Sequence, residues 1–195
     1  MKYYLEITLL PNVEVGVNFL LSKVLQQIHL SLVELQDDHN QVPIGISFPN
    51  YLVSERDISL GVKLRLFAND EDTLAKVKIS HWLVRLRDYV HITSIRPVPV
   101  KKITGYAVYK REQPRESKER LARRYAKRKG VDYEQGLELY RNTKTQFIKL
   151  PFIKIKSLSS QHSFRLYINK ISVPSAINDK FGTYGLSSIS SVPEF

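Results

Sequence analysis

The chain has 195 residues, 43% of them hydrophobic, which is enough to bury a real core and excludes a chain disordered throughout. It has no cysteine, so disulfides, thiolate metal sites and cysteine nucleophiles are excluded. Its net charge of +11 is unevenly placed: residues 1–100 hold ten Lys and Arg against eleven Asp and Glu, and residues 101–195 hold 20 against eight. A neutral half joined to a half of net +12 implies one surface built for a polyanion. Met1–Leu10 has neither the apolar run nor the small-residue cleavage site of a signal peptide. No apolar run approaches the roughly 20 residues of a spanning helix, so no membrane partner and a cytoplasmic location are expected.

Residues 3–9 alternate partly and predict a strand, which Pro11 and Asn12 end. Residues 17–35 predict a helix, because Leu20, Leu21, Val24, Leu25, Ile28, Leu32 and Leu35 recur at steps of three and four. After the polar loop 37–41, residues 43–48 and 61–68 predict strands. Residues 70–78 predict a short helix whose N-terminus favours Asp70, Glu71 and Asp72, and 88–95 predict another strand. The order strand, helix, strand, strand, helix, strand is the ferredoxin-like arrangement, a common scaffold for RNA-binding domains.

Pro97 and Pro99 punctuate the change in composition, which predicts an N-terminal domain over 1–97 and a second over 98–195. The fold class expected is α+β: a ferredoxin-like N-terminal domain plus a C-terminal α/β domain with an arginine-rich helix. In the second half, strands are expected at 103–110, 146–156 and 163–169, the last two around a polar loop 157–162. A basic helix is expected at 115–129, a shorter one at 132–140, and irregular chain from Pro174 onward.

The basic helix carries the strongest signal. At 100° per residue, Arg120, Arg123, Arg124, Lys127 and Arg128 fall within an arc of about 140°, with Ala122 and Ala126 opposite. Glu116 and Glu119 sit in the first turn, where the helix dipole favours them. Stacked like charges destabilise an isolated helix, and phosphates along a groove relieve that repulsion. Alanines on the far face do not suit insertion into a membrane. Just upstream, Arg111 and Gln113 are two apart, so in extended backbone they point the same way. Arg reads a guanine edge and Gln an adenine edge, although a polar linker has the same composition.

No pair of the five histidines has metalloprotease spacing, and no acidic cluster suits a two-metal nuclease, so neither metal nor cofactor is expected. Ribonuclease chemistry can run without one: a base takes the ribose 2′-OH proton and the oxygen attacks the adjacent phosphate. Histidine suits that role because its pKa lies near neutrality. His29 sits beside the apolar stripe of the first helix, where a satisfied structural histidine is the ordinary occupant. The serines at 157, 159 and 160 form a polar loop or simply a turn. Tyr184 is flanked by Gly182 and Gly185, which allow close backbone approach to a ligand and equally make a turn.

Taken together, several stretches in order resemble the CRISPR RNA-processing endoribonuclease of the type I-F system nearly end to end. They are Ile28-His29, Ile44-Gly-Ile-Ser-Phe-Pro49, Arg111-Glu-Gln113, Glu119 to Arg128, Ser157 to Ile168, and Tyr184-Gly-Leu-Ser187. The resemblance implies cleavage of the CRISPR precursor at the 3′ base of each repeat hairpin. The product would keep the hairpin, end in a 2′,3′-cyclic phosphate and stay bound to the protein. It implies that His29 is the general base, that Ser157 holds the 2′-OH, and that Tyr184 supports the histidine. Arg111 and Gln113 would read bases at the bottom of the stem. Arg123, Arg124, Lys127 and Arg128 would line its groove, Phe164 would stack at the cleavage point, and Ser159 would lie near the site. Other subunits of a type I-F surveillance complex are the implied partners. Lys127 stands where an arginine is familiar, Lys129 replaces a histidine, and His162 is displaced one place by Ser163 and takes no role. The rival expectations are a noncatalytic subunit that caps the RNA hairpin, and a general DNA-binding protein.

Overall fold

A computed structural model describes the chain except for residues 114–117, 143–147, 157–160 and 178–179. The described chain is a mix of helix and strand in two compact units, residues 1–112 with 150–195 and residues 113–149.

In the larger unit, β1 (Tyr3–Leu9) buries Leu5, Ile7 and Leu9. No side chain caps helix α1 (Val17–Val33); it is held by a buried face of Leu20, Leu21, Val24, Leu25, Ile28 and Leu32. The short strands β2 (Gln41–Val42), β3 (Gly45–Ser47), β4 (Leu52–Val53) and β5 (Ile58–Ser59) lead to β6 (Lys63–Ala68). The helix expected at 70–78 is shorter. Asp70 caps α2 (Glu71–Lys76) by accepting from the Thr73 amide at 2.7 Å. Lys78 then takes a left-handed φ of 49°, which ends that helix and starts α3 (Ile79–Trp82). β7 (Val90–Ile92) and β8 (Arg96–Pro97) follow. The sheet runs β3-β6-β1-β7, every pair antiparallel, with β8 also on β1.

A second sheet belongs to the same unit. β9 (Gly105–Glu112) pairs with β11 (Ser163–Val173), which pairs with β10 (Phe152–Lys156). The tail, expected to be irregular from Pro174, contributes two more strands. β12 (Phe181–Gly182) pairs with β2, and β13 (Val192–Glu194) closes the other edge of β9. Such short strands have no alternation of their own; their partners exist only once the rest has folded. One core joins Leu5 and Ile7 of the first sheet to Ala107, Tyr109, Ile153, Leu166 and Ile168 of the second. The compact units therefore do not part at 97–98, where composition changes. Charge is a property of the surface, and the apolar interior runs through that point.

The smaller unit holds α4 (Lys118–Lys129), the described part of the basic helix, and α5 (Tyr133–Leu139). Gly130, at φ 67°, ends α4 by returning its amide to the Ala126 carbonyl at 2.9 Å. Ala122 is fully buried, and a Cβ on Gly136 of α5 would meet its carbonyl oxygen at 2.8 Å. Two small residues thus let the helices touch backbone to backbone. Gly136→Val should force them apart at a cost of about 1–3 kcal/mol. Hydrogen exchange of the α4 amides should accelerate accordingly; unchanged protection would show that the close approach is not needed.

Candidate active site

Ile28 faces the core and is fully buried, which turns its neighbour His29 to the edge of the apolar face of α1, half-buried. The segment between β12 and β13 meets it there. The Gly185 amide donates to the Gly182 carbonyl at 2.7 Å, making a tight turn with Thr183 and Tyr184 at its centre. Gly185 has φ 66°, and a Cβ there would lie 2.5 Å from Ile46. Its carbonyl accepts from the Ile46 amide at 2.9 Å, fastening the turn to β3.

This turn fixes the imidazole in two ways. His29 Nδ1 lies 3.0 Å from the Thr183 carbonyl, and the Tyr184 ring stacks on the imidazole at 3.9 Å between centroids, 5° from parallel. A carbonyl only accepts, so Nδ1 carries the hydrogen. In the neutral ring Nε2 then holds the lone pair, as a general base requires. Burial pushes the His29 pKa below its ordinary value, while the Thr183 hydrogen bond pulls the other way. Burial likewise raises the Tyr184 pKa, with the charge of Arg111 acting in opposition. Tyr184 is accordingly a neutral ring that packs on the imidazole.

Arg111, near the end of β9, is exposed and holds its guanidinium 5.3 Å from the centre of the Phe164 ring on β11. His29, Tyr184, Arg111 and Phe164 thus belong to one neighbourhood of the larger unit. Gln113 is exposed just past the end of β9. Ser157 and Ser159 lie outside the described residues, as do positions 115–117 of the expected basic helix. The chain leading to Ser157 is placed, however: the Lys156 carbonyl accepts from Gln26 Nε2 at 3.3 Å, on α1 less than one turn before His29. In the smaller unit Arg120, Arg123, Arg124, Lys127 and Arg128 are all exposed. Thr183 and Gln26 went unnoticed in the sequence. Thr183 acts through its carbonyl, which every residue has, and nothing local marks Gln26 as a partner of residue 156.

The other histidines do not join this group. Asp37 Oδ1 accepts from the His39 amide at 3.0 Å and the Gln41 amide at 2.9 Å, so the Asp37-Asp38-His39 loop is organised by its own turn. His81, His91 and His162 are exposed. Among the described residues, no three His, Asp or Glu side chains gather as a metal cage does. None of the described helices is long and apolar enough to cross a membrane.

A helix-borne histidine with a fixed tautomer, beside arginine and aromatic rings, is an arrangement suited to acid–base chemistry on a polyanion. Comparison with known proteins makes this specific. Residues 4–195 match the family described as CRISPR-associated protein (Cas_Csy4), and the chain belongs to that family of CRISPR-associated endonucleases. It is 32% identical over 196 residues to the CRISPR-associated endonuclease Cas6/Csy4 of Escherichia coli (strain UTI89 / UPEC), covering 100% of both chains. It is 33% identical over 196 residues to the protein of the same name from Pseudomonas aeruginosa (strain UCBPP-PA14), again covering 100% of both. A solved structure described as an RAMP protein binding different RNA substrates shares 13% identity and a TM-score of 0.39, over 98% of this chain and 99% of that one.

Because burial favours the neutral imidazole, His29 contributes stability above its unfolded pKa of about 6.5, and that contribution is lost as pH falls through the lower folded value. In an NMR titration the His29 ring should show a midpoint below 6.5. Tyr184→Ala, which uncovers the ring, should raise that midpoint. A midpoint that ignores the tyrosine would mean that its stacking does not set the lowered pKa.

Proposed function

We propose that the protein is a metal-independent endoribonuclease that binds the CRISPR repeat hairpin and cuts the precursor RNA at the hairpin's 3′ base. The observation that carries this reading is the Nδ1 hydrogen bond to the Thr183 carbonyl, which leaves His29 Nε2 as a ready base. Family membership supports the RNA substrate. The strand order β3-β6-β1-β7, with helices following β1 and β6, supports reading the first sheet as ferredoxin-like.

In this mechanism Nε2 takes the proton from the ribose 2′-OH. The 2′-oxygen forms a bond to the adjacent phosphorus, and the bond from phosphorus to the 5′-oxygen breaks. The leaving oxygen is protonated by the imidazolium just formed or by water. The upstream fragment ends in a 2′,3′-cyclic phosphate. Tyr184 holds the imidazole plane, and Ser157 is assigned to hold the 2′-OH, with Ser159 beside it. Phe164 stacks on a base at the cleavage point, and its partner Arg111, with Gln113, reads the bottom of the stem. The exposed cations Arg123, Arg124, Lys127 and Arg128 line the groove of the hairpin. These contacts survive the cut, so the product stays bound and the protein travels with it as a subunit of a type I-F surveillance complex. In functional terms residues 1–97 supply the histidine and residues 98–195 supply most of the RNA contacts.

Purified protein should cut repeat RNA in EDTA and leave intact a substrate with 2′-deoxy at the cleavage nucleotide. Tight binding without cutting of either RNA would instead establish a noncatalytic hairpin-binding subunit, and equal affinity for duplex DNA a general DNA-binding protein. His29→Ala should lower the cleavage rate by about 10²–10⁴-fold while hairpin affinity stays within about twofold. The wild-type rate should rise with pH through an apparent pKa below 6.5 and then level off, because the neutral imidazole is the active form. Arg128→Ala should weaken hairpin binding and lower the slope of log affinity against log salt by about one.

A further inference from the structure

The second sheet has a face that the proposed mechanism does not use. Along β10 the residues alternate, with Ile153 and Ile155 buried and Phe152, Lys154 and Lys156 exposed. Across the β10–β11 register, Lys154 lies opposite Arg165 and Phe152 opposite Tyr167. The Arg165 guanidinium sits 4.9 Å from the centre of the Phe152 ring and donates to the Tyr167 hydroxyl at 3.4 Å. The two rings are 5.2 Å apart, and Phe152 remains 41% exposed. Cations directly opposite each other destabilise a strand pair. Among the described residues of β9, β10 and β11, Glu112 is the one carboxylate, and Lys110 already pairs with it at 3.5 Å.

We propose that this outer face is a platform for single-stranded RNA, taking the nucleotides that flank the hairpin. The inference rests on the RNA-cleaving function proposed above. An exposed phenylalanine ring, with a half-buried tyrosine, beside cations matches the two halves of a nucleotide, a base that stacks and a phosphate that is neutralised. An acidic protein segment would satisfy the cations and leave the ring faces unused. On α4 the exposed arc is cationic without rings, and its Tyr125 packs edge-on against Tyr140 at 6.2 Å. That pattern suits a duplex groove, whereas the sheet face suits unpaired bases. Four residue steps from Lys156 to Phe152 span about 13 Å, which accommodates about two stacked nucleotides. The face begins beside the candidate site, because the Lys156 carbonyl is the atom bonded to Gln26 of α1.

Fluorescence anisotropy should compare the bare hairpin with hairpins that carry a short single-stranded extension on the 5′ or the 3′ side, all with 2′-deoxy at the cleavage nucleotide. Wild-type protein should bind at least one extended RNA about five- to tenfold more tightly. The Phe152→Ala, Lys154→Ala double variant should lose that gain and hold the bare hairpin within about twofold. Phe152→Leu keeps an apolar side chain in place but removes the ring face, and it should lose most of the gain at unchanged melting temperature. No gain from either extension in the wild type overturns the platform. A gain that survives in the variants also overturns it and leaves the face to a different partner. Failure to bind even the bare hairpin is the distinct outcome that sinks the underlying function, and the platform with it.

Discussion

The hydrogen bond between His29 Nδ1 and the Thr183 carbonyl is the constraint on which the site depends. It fixes which nitrogen holds the proton, and therefore which one keeps the lone pair in the neutral ring. That bond needs a carbonyl held at the edge of α1, which the turn from Gly182 to Gly185 supplies. The turn in turn needs Gly185, since a side chain at φ 66° and 2.5 Å from Ile46 would not fit. A residue on the first helix is thus set by backbone more than 150 positions later. The stacked Tyr184 covers one face of the ring, and burial lowers the His29 pKa.

The same long closure explains the architecture of the larger unit. The final strand pairs with β9 of the second sheet, and the Gly185 carbonyl accepts from the Ile46 amide of β3 in the first, so the C-terminal segment is fastened to both sheets. Tyr109 lies within this closure, its hydroxyl donating to Glu194 at 2.7 Å and lying 3.2 Å from the Phe48 carbonyl oxygen. Within the larger unit, residues on both sides of position 97 therefore share one interior. Surface charge sets where RNA would bind, and apolar packing sets which segments fold together.

The basic helix is built by a different compromise. Its cations repel one another at the spacing of one helical turn, which weakens the helix on its own. It is held instead by Ala122 against Gly136 and by the glycine that ends it. Small residues concentrate the packing on one narrow line and leave the wide charged arc in solvent. The β10–β11 face departs from this pattern by mixing rings with its cations.

Much of this was legible in the sequence. The 3.6-residue apolar period placed α1, alternation placed β1 and β6, and the cationic arc of the basic helix survived folding as an exposed stripe. These features depend on residues close together in the chain, so a local pattern records them. His29, Tyr184, Arg111 and Phe164 were each visible as residue types in suggestive settings, and ordered motifs tied them to one family. What the sequence by itself determined was therefore the helices and longer strands, the polyanion-seeking charge and the identity of the chemical groups. Only the tertiary structure decided the tautomer of His29, the pairing of β12 and β13, and the core that crosses residue 97. Each of these rests on a backbone carbonyl, a two- or three-residue strand or an inter-sheet contact, which have no period or composition of their own and exist only when distant segments meet.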